Sequence, residues 1–379
     1  MTAPPVVIVG AGAAAHGSVT GLRRAGFAGR VVMFGREADP PYERPPLSKR
    51  YLAGKARRED LMLPQLEAEL RLETEVAEID LEARAVRLAG GGGLCYSRLL
   101  IATGARPRRL EEEGGLYLRE ISQADRLRAV LTSGRLEVAG AGFIGCEVAA
   151  VARQMGVAVT VYDPLPAPML RVLGPKVGDW LAGVHRGHGV DLRTGVVEPP
   201  APGPATLVAV GSLPNVELAQ VAGLECDGGI AVDANGRTSV EDVYAAGDCA
   251  RFWSPTLGAA VRVEHFQTAV RHGEAVGAAM AGVDIPFLEV PWFWSDQYDV
   301  SIRYVGAGLP WDEVVVRGRF GTPPFTAFYL EQGRLRAAAG VNDGRTVSHA
   351  RRLLATGVQV DREILADRSR DLKALAKPS

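Results

Sequence analysis

No Cys-x-x-Cys pair occurs among the four cysteines, Cys95, Cys146, Cys226 and Cys249, which lie far apart in the chain. That excludes a vicinal redox disulfide and a zinc ribbon by spacing, and leaves each cysteine to be expected as a small buried hydrophobe. Any redox chemistry in this chain must therefore use a bound cofactor rather than a thiol relay. Charge of one sign is also lacking. With 43 Lys and Arg against 44 Asp and Glu, the formal net charge is −1, which argues against a nucleic-acid binder working through a broad basic surface. No apolar run approaches the roughly 20 residues of a membrane-spanning helix. Met1-Thr2-Ala3-Pro4-Pro5 leads directly into an apolar segment without a basic leader, so a cytoplasmic location is expected. His185 and His188 lack the spacing and carboxylate company of a metal site; no metal is expected, and both are read as surface residues.

What is abundant is glycine, 45 of 379 residues, concentrated in turns that repeat. Val6-Val7-Ile8-Val9 is a continuous apolar run, as in a parallel strand buried on both faces. It enters Gly10-Ala11-Gly12-Ala13-Ala14-Ala15, a helix-like stretch to Arg24 and a second strand from Arg30 to Phe34; Glu37 follows 25 residues after Gly12. The same order recurs in Leu136-Glu137-Val138-Ala139, then Gly140-Ala141-Gly142-Phe143-Ile144-Gly145, a helix through Met155, and a strand leading to Asp163, 21 residues after Gly142. The first glycine of such a loop makes the tight strand-to-helix turn. The second lets backbone approach a pyrophosphate, and the third position, Ala15 or Gly145, must be small for helix and strand to pack. The helix N-terminus then meets the phosphate charge, and the acid after the second strand can bind ribose hydroxyls. Two copies in the right strand–helix context point to two dinucleotides.

Each half closes on an apolar strand and a glycine turn, Leu99 to Gly104 and Leu207 to Gly211. The second half is shorter. Where the first carries a hairpin pattern around residues 76–96, the second has Val196-Val197-Glu198-Pro199-Pro200-Ala201-Pro202-Gly203-Pro204, and prolines at that density cannot sustain a sheet ladder. A strand meander trimmed to a stiff loop is expected there, with a shortened link between Arg109 and Tyr117. The fold class is α/β: two Rossmann-like dinucleotide-binding domains, three-layer ββα, plus an α+β C-terminal domain. The expected boundaries are 1–108 with 236–289 for the first dinucleotide-binding domain, 109–235 for the second and 290–379 for the C-terminal domain.

Pro41-Tyr42-Glu43-Arg44-Pro45-Pro46-Leu47-Ser48-Lys49 resembles the segment that follows the FAD fingerprint in putidaredoxin-reductase-like ferredoxin reductases. So, in order and spacing, do Val243-Tyr244-Ala245-Ala246-Gly247-Asp248-Cys249-Ala250, Arg262-Val263-Glu264-His265-Phe266-Gln267-Thr268-Ala269 and Pro291-Trp292-Phe293-Trp294-Ser295-Asp296-Gln297-Tyr298-Asp299. The resemblance spans essentially the whole chain. It implies one FAD, NADH as donor, an iron–sulfur protein of ferredoxin type as a transient acceptor partner, service to a P450 or oxygenase, and a monomer or weak homodimer. Gly10, Gly12, Ala13, Ala14 and Ala15 would cradle the FAD pyrophosphate, with Glu37 near its ribose. Arg44 and Lys49 would lie beside the flavin, Ala102, Thr103 and Gly104 would line the cofactor, Gly247 and Asp248 would meet its ribityl or pyrophosphate region, and Glu264, His265 and Trp294 would approach the ring. Gly140, Gly142, Phe143, Ile144, Gly145 and Gly211 would hold NADH, and Asp163 its ribose diol, an acid that repels the 2′-phosphate of NADPH. Glu147 would pair with Lys49, a cation placed to stabilise negative charge on reduced flavin. Structural readings of Asp248 as a helix cap and of His265 as a packed histidine stay open. So do two other functions: reduction of a small organic acceptor such as a quinone, and an NADH-gated interaction role of the apoptosis-inducing-factor type. Residues 290–379 carry 13 Lys and Arg against 10 Asp and Glu, a mild basic bias suited to an acidic ferredoxin.

Overall fold

The fold, taken from a computed structural model, is described for residues 3–110, 114–197 and 201–375. The chain divides into two compact units, residues 1–43, 62–106 and 214–291 in one and residues 44–61, 107–213 and 292–379 in the other.

The first unit is built on a parallel sheet. Strand Val6–Val9 lies between Val31–Phe34 and Arg98–Ile101, and Glu69–Arg71 and Val243–Ala245 flank these. Every residue of Val6–Val9 and Val31–Phe34 is buried, which explains an apolar run without alternation. Val6 and Ile8 pack into one core with Ala15, Val19 and Leu22 of helix Ala13–Arg24 and Val276 and Met280 of helix Phe266–Met280. These two helices touch backbone to backbone. A Cβ on Gly17 or Gly21 would stand 2.1 or 2.0 Å from the carbonyl oxygens of Val270 and Glu274, and one on Gly273 or Gly277 would stand 2.1 or 2.0 Å from those of Ala14 and Ser18. The hairpin pattern around residues 76–96 is an antiparallel meander, Val76–Asp80, Ala85–Leu88 and Gly93–Cys95.

In the second unit a four-stranded parallel sheet runs in the order Asp191–Thr194, Ala158–Asp163, Arg135–Ala139, Thr206–Val208. Among the described residues no strand lies between Thr194 and Thr206. The proline-rich stretch falls partly outside the described residues, at 198–200, as does the Arg109–Tyr117 link, at 111–113. The C-terminal part of this unit is a five-stranded antiparallel sheet, Trp292–Gln297, Val300–Val305, Arg334–Val341, Phe325–Glu331 and Glu313–Arg317 in that order. Helix Gly344–Thr356 buries Val347, Ala350, Leu353 and Leu354. Asp343 starts it, accepting from the Thr346 amide at 3.3 Å and from the Thr326 hydroxyl at 2.8 Å; Gly357, at φ 66°, ends it. No helix among the described residues is long and apolar enough to cross a membrane.

Candidate functional site

The two phosphate loops repeat one local geometry, each within its own unit. Gly10 donates its amide to the Phe34 carbonyl at 2.8 Å, and Gly140 donates to Tyr162 at 2.7 Å. Gly10 has φ +114° and Gly140 φ +103°, and a Cβ on either would strike a backbone carbonyl oxygen, Ala102 at 2.2 Å or Ala209 at 2.4 Å. These first glycines are therefore demanded by the protein itself. The second glycines are not. Gly12 has φ −96° and Gly142 φ −78°, values open to any residue. A Cβ on Gly12 would meet nothing within 4 Å, and one on Gly142 would find only Ala209 oxygen, at 4.0 Å. Each is the N-cap of its helix, so the open space lies where unpaired helical amides converge. Both cradles fit a dinucleotide pyrophosphate. Ala15 is fully buried, and a Cβ on Gly145 would stand 2.0 Å from the Gly140 carbonyl oxygen, so the small third residue serves packing as expected.

Around the first cradle the unit sets Ala102 and Thr103 against Gly10, with Gly104 next in the chain at φ +68°. Asn215, which the sequence did not flag, clamps this turn three ways. It accepts at its carbonyl oxygen from the Thr103 hydroxyl (2.7 Å), donates its side-chain amide to Thr103 oxygen (2.8 Å) and donates its backbone amide to Gly104 oxygen (2.9 Å). Gly247, at φ +79°, sits where a Cβ would stand 2.7 Å from the methyl of Ala14, so Asp248, buried, is carried to the start of the same helix. Arg262 donates to the Asp248 carbonyl at 3.3 Å and pairs with Glu264. Glu37 accepts a hydrogen bond from the Tyr42 hydroxyl at 2.5 Å. His265 is the residue before helix Phe266–Met280, and burial depresses its pKa to about 4 against the pull of Glu264.

His272, on that helix, was also unforeseen. It is packed between Phe252 and Phe287 at ring distances of 4.6 and 5.2 Å, and Nδ1 accepts the Gly247 amide at 3.3 Å. Burial lowers its pKa from 6.5 to about 4. The folded state thus holds both histidines neutral, while the unfolded chain takes up protons below about pH 6.5. Stability is expected to fall from there down to about pH 4, by about 1.4 kcal/mol per pH unit for each histidine. His272→Asn, whose amide oxygen can replace Nδ1, should halve that slope in urea denaturation series; an unchanged slope would refute the assignment.

Around the second cradle, Asp163 is buried and accepts the amides of Ala141 (2.6 Å) and Leu165 (2.8 Å), one on each oxygen. Its carboxylate is fixed at the loop, with a second lone pair on each oxygen for a ribose diol. Ile144 is 41 % exposed, and Phe143 packs edge-on against Phe293 at 4.5 Å. Gly211, at φ +110°, has open space where a Cβ would stand.

The same unit places the expected ion pair. Lys49 follows the short 3-10 turn Pro45–Ser48 and puts its Nζ 2.7 Å from Glu147 Oε2, with side-chain exposures of 17 % and 5 %. Ser48 donates to the same oxygen, and Ser295 donates to Oε1 at 2.7 Å. Neither serine was flagged from the sequence, because each is remote from Glu147 along the chain. Arg44 donates to the Arg119 carbonyl at 2.6 Å. Trp294 is half-buried on strand Trp292–Gln297, its ring 5.8 Å from that of Trp292.

Two expectations are corrected. His185 is not a surface residue: it is 1 % exposed and accepts a place in the polar interior described below, while His188 is exposed as expected. Cysteine burial holds for Cys146 and Cys249, but Cys95 is exposed and Cys226 half-buried, the former lying on an edge strand of the meander. All four are free thiols, and burial pushes that of Cys146 upward.

Known proteins match this chain over nearly its whole length. Residues 4–198 and 202–273 match the pyridine nucleotide-disulphide oxidoreductase family, and residues 292–376 match a reductase C-terminal family. The chain is 41 % identical over 403 residues to the ferredoxin–NAD(+) reductase component of the anthranilate 1,2-dioxygenase system of Burkholderia cepacia, covering 98 % of this chain and 99 % of that protein. It is 36 % identical over 406 residues to putidaredoxin reductase of Pseudomonas putida, covering 98 % and 96 %. The crystal structure of a covalent putidaredoxin reductase–putidaredoxin complex superposes with a TM-score of 0.93 at 34 % identity, covering 99 % of this chain and 98 % of that chain.

Proposed function

The chain belongs to the pyridine nucleotide-disulphide oxidoreductase family, and on that premise we propose that it is an FAD-containing reductase that draws on NADH and delivers electrons singly to a ferredoxin-type iron–sulfur protein. The observation that carries this reading is the pair of cradles at Gly12 and Gly142, open to a ligand although neither glycine is required by packing. FAD held there would supply the chemistry that links a two-electron hydride donor to a one-electron acceptor. The chain's own residues bind, orient and polarise.

The Gly10–Ala15 loop and the Ala102–Gly104 turn, stiffened by Asn215, hold the FAD phosphates. Asp248 and Glu37 serve its sugar portions, and Glu264, His265 and Trp294 serve its ring. Gly140, Gly142, Gly145 and Gly211 hold NADH, with Asp163 selecting against a 2′-phosphate by charge. Phe143 and Ile144 offer apolar cover at the helix start. Lys49 beside the flavin ring presents a fixed positive charge where negative charge develops, with Arg44 near it. The FAD domain comprises 1–108 and 236–289, the NADH domain 109–235 and the interface domain 290–379. Docking of an acidic ferredoxin to the mildly basic last segment is transient and driven by charge. A cytoplasmic location and an oxygenase or P450 as downstream consumer complete the reading, supported by relatives named as reductase components of dioxygenase systems.

Purified protein is expected to be yellow, with one FAD per chain. Anaerobic mixing with NADH should bleach the flavin, and a purified ferredoxin should then be reduced with repeated turnover. A folded, colourless protein would sink the reading. A flavoprotein that reduces quinones but no ferredoxin would replace the acceptor.

A further inference from the structure

Behind the Lys49–Glu147 pair a run of buried polar side chains continues through the second unit. Gln297 donates its amide N–H to Ser295 Oγ at 3.0 Å, and its carbonyl oxygen lies 2.8 Å from His185 Nε2. The Tyr298 hydroxyl lies 3.3 Å from His185 Nδ1, and its ring stacks on that of His188 at 3.7 Å. Ser295, Gln297 and His185 are each at most 1 % exposed. Tyr298 itself is held at φ +56° in the turn between strands Trp292–Gln297 and Val300–Val305, a conformation that costs a non-glycine residue energy.

The hydrogens in this run can be assigned by elimination. A carboxylate only accepts, so Ser295 must give its one proton to Glu147. Its oxygen is then left to accept, and Gln297 must present its amide N–H there. That turns the Gln297 carbonyl toward His185, whose Nε2 must carry hydrogen. Burial holds the His185 ring neutral, so Nδ1 is bare and takes the Tyr298 proton. Every donor points toward Glu147.

We propose that Ser295, Gln297, His185 and Tyr298 form a positioning relay, a one-directional hydrogen-bond chain that keeps a hydroxyl proton aimed at Glu147 Oε1 and so keeps the carboxylate turned toward Lys49. The proposal deepens the function above and rests on it only in placing Lys49 at the flavin. These are positioning residues, acting through Glu147. The ionisable groups around the chain are Lys49 and Glu147 at one end, His185 within it, and His188, Tyr298, Cys146 and Arg153 at the other.

The decisive variant is Gln297→Glu, equal in size but able to donate only when protonated. With its proton the acid replaces the amide N–H and the chain is intact. As pH rises and the proton leaves, two carboxylates compete for the Ser295 hydroxyl, and the added negative charge opposes the charge that accumulates on reduced flavin. Holoenzyme of Gln297→Glu should match wild type at the acidic end of its stable range. At higher pH the two-electron reduction equilibrium should become at least about tenfold less favourable than wild type, about 30 mV in midpoint potential. An infrared difference spectrum against wild type should show a protonated-acid band that disappears over the same pH interval. Gln297→Leu should show neither pH effect, and Ser295→Ala, which adds no charge, should lower the potential at all pH values.

Equal, pH-independent behaviour of Gln297→Glu and Gln297→Leu with no acid band would overturn the relay. So would an unchanged potential in Ser295→Ala alongside an infrared spectrum in which the Gln297→Glu acid never titrates. An acid band that titrates normally while the potential stays level with wild type would uphold the relay and overturn the placement of Lys49 at the flavin.

Discussion

Gly12→Ala is expected to fold, melt close to wild type and lose FAD, whereas Gly10→Ala should not accumulate as folded protein. The two glycines are two residues apart but answer to different partners. A Cβ at Gly10 would lie 2.2 Å from the Ala102 carbonyl oxygen, on a backbone at φ +114° that L side chains rarely adopt. Ala102 cannot retreat because it directly follows strand Arg98–Ile101, paired with Val6–Val9, and donates its own amide to the Val9 carbonyl at 2.8 Å. Steric and conformational costs fall together on the central strand of the sheet. At Gly12 the same methyl meets nothing in the protein, so its only obstacle is a ligand. An affinity loss of about 100-fold, about 2.7 kcal/mol, is expected from displacing a pyrophosphate from the helical amides. Flavin absorbance per chain after desalting and a thermal melt measure both. The second loop supplies the internal comparison, since Gly142→Ala should keep FAD and lose NADH binding. Stoichiometric FAD of undiminished affinity in Gly12→Ala would remove the reason for calling that space a cradle.

The same contrast shows what a sequence can reveal. The loop, helix start and following acid lie within some 25 residues and obey local rules, so Gly10, Gly12, Gly140, Gly142 and Asp163 were legible at sight. The all-buried strands were legible as uninterrupted apolar runs, and the Lys49–Glu147 pair came through the motif around Pro45-Pro46-Leu47-Ser48. What escaped is held together by residues far apart in sequence. Asn215 reaches Thr103 across 112 positions, Ser295 reaches Glu147 across 148, and His185 reaches Gln297 across 112. Single polar residues of these types carry no periodicity, and a histidine destined for the interior looks like one on the surface until its partner is placed. The small residues of Gly17, Gly21, Gly273 and Gly277 did show i, i+4 spacing, but a glycine's partner is backbone, which sequence does not mark.

Lys49→Met should lose both stability and rate, and adding Glu147→Leu should return only the first. Removing the ammonium leaves the Glu147 carboxylate, 5 % exposed, without a counter-charge, and breaking a buried pair from one side costs about 3–5 kcal/mol. Its remaining donors, Ser48 and Ser295, satisfy lone pairs without neutralising charge. Replacing the second partner by an apolar residue of similar volume removes that uncompensated charge, and such replacements of whole pairs are often neutral. The double variant should therefore denature at nearly the wild-type urea concentration. Catalysis follows a different rule. A fixed cation helps most where charge appears during the reaction, and no apolar repacking restores it. Flavin reduction by NADH in stopped flow should be slower by about 100-fold, about 2.7 kcal/mol in barrier, in both the single and the double variant. Equal rates in wild type and double variant would reduce the pair to a packing device. A double variant as unstable as Lys49→Met would instead mean that the surrounding hydroxyls, now facing a leucine, are themselves the costly groups. Stability and rate would thus separate the two roles this salt bridge is proposed to have: the lysine offsets the charge of a buried carboxylate, and the carboxylate holds the lysine in place for the reaction.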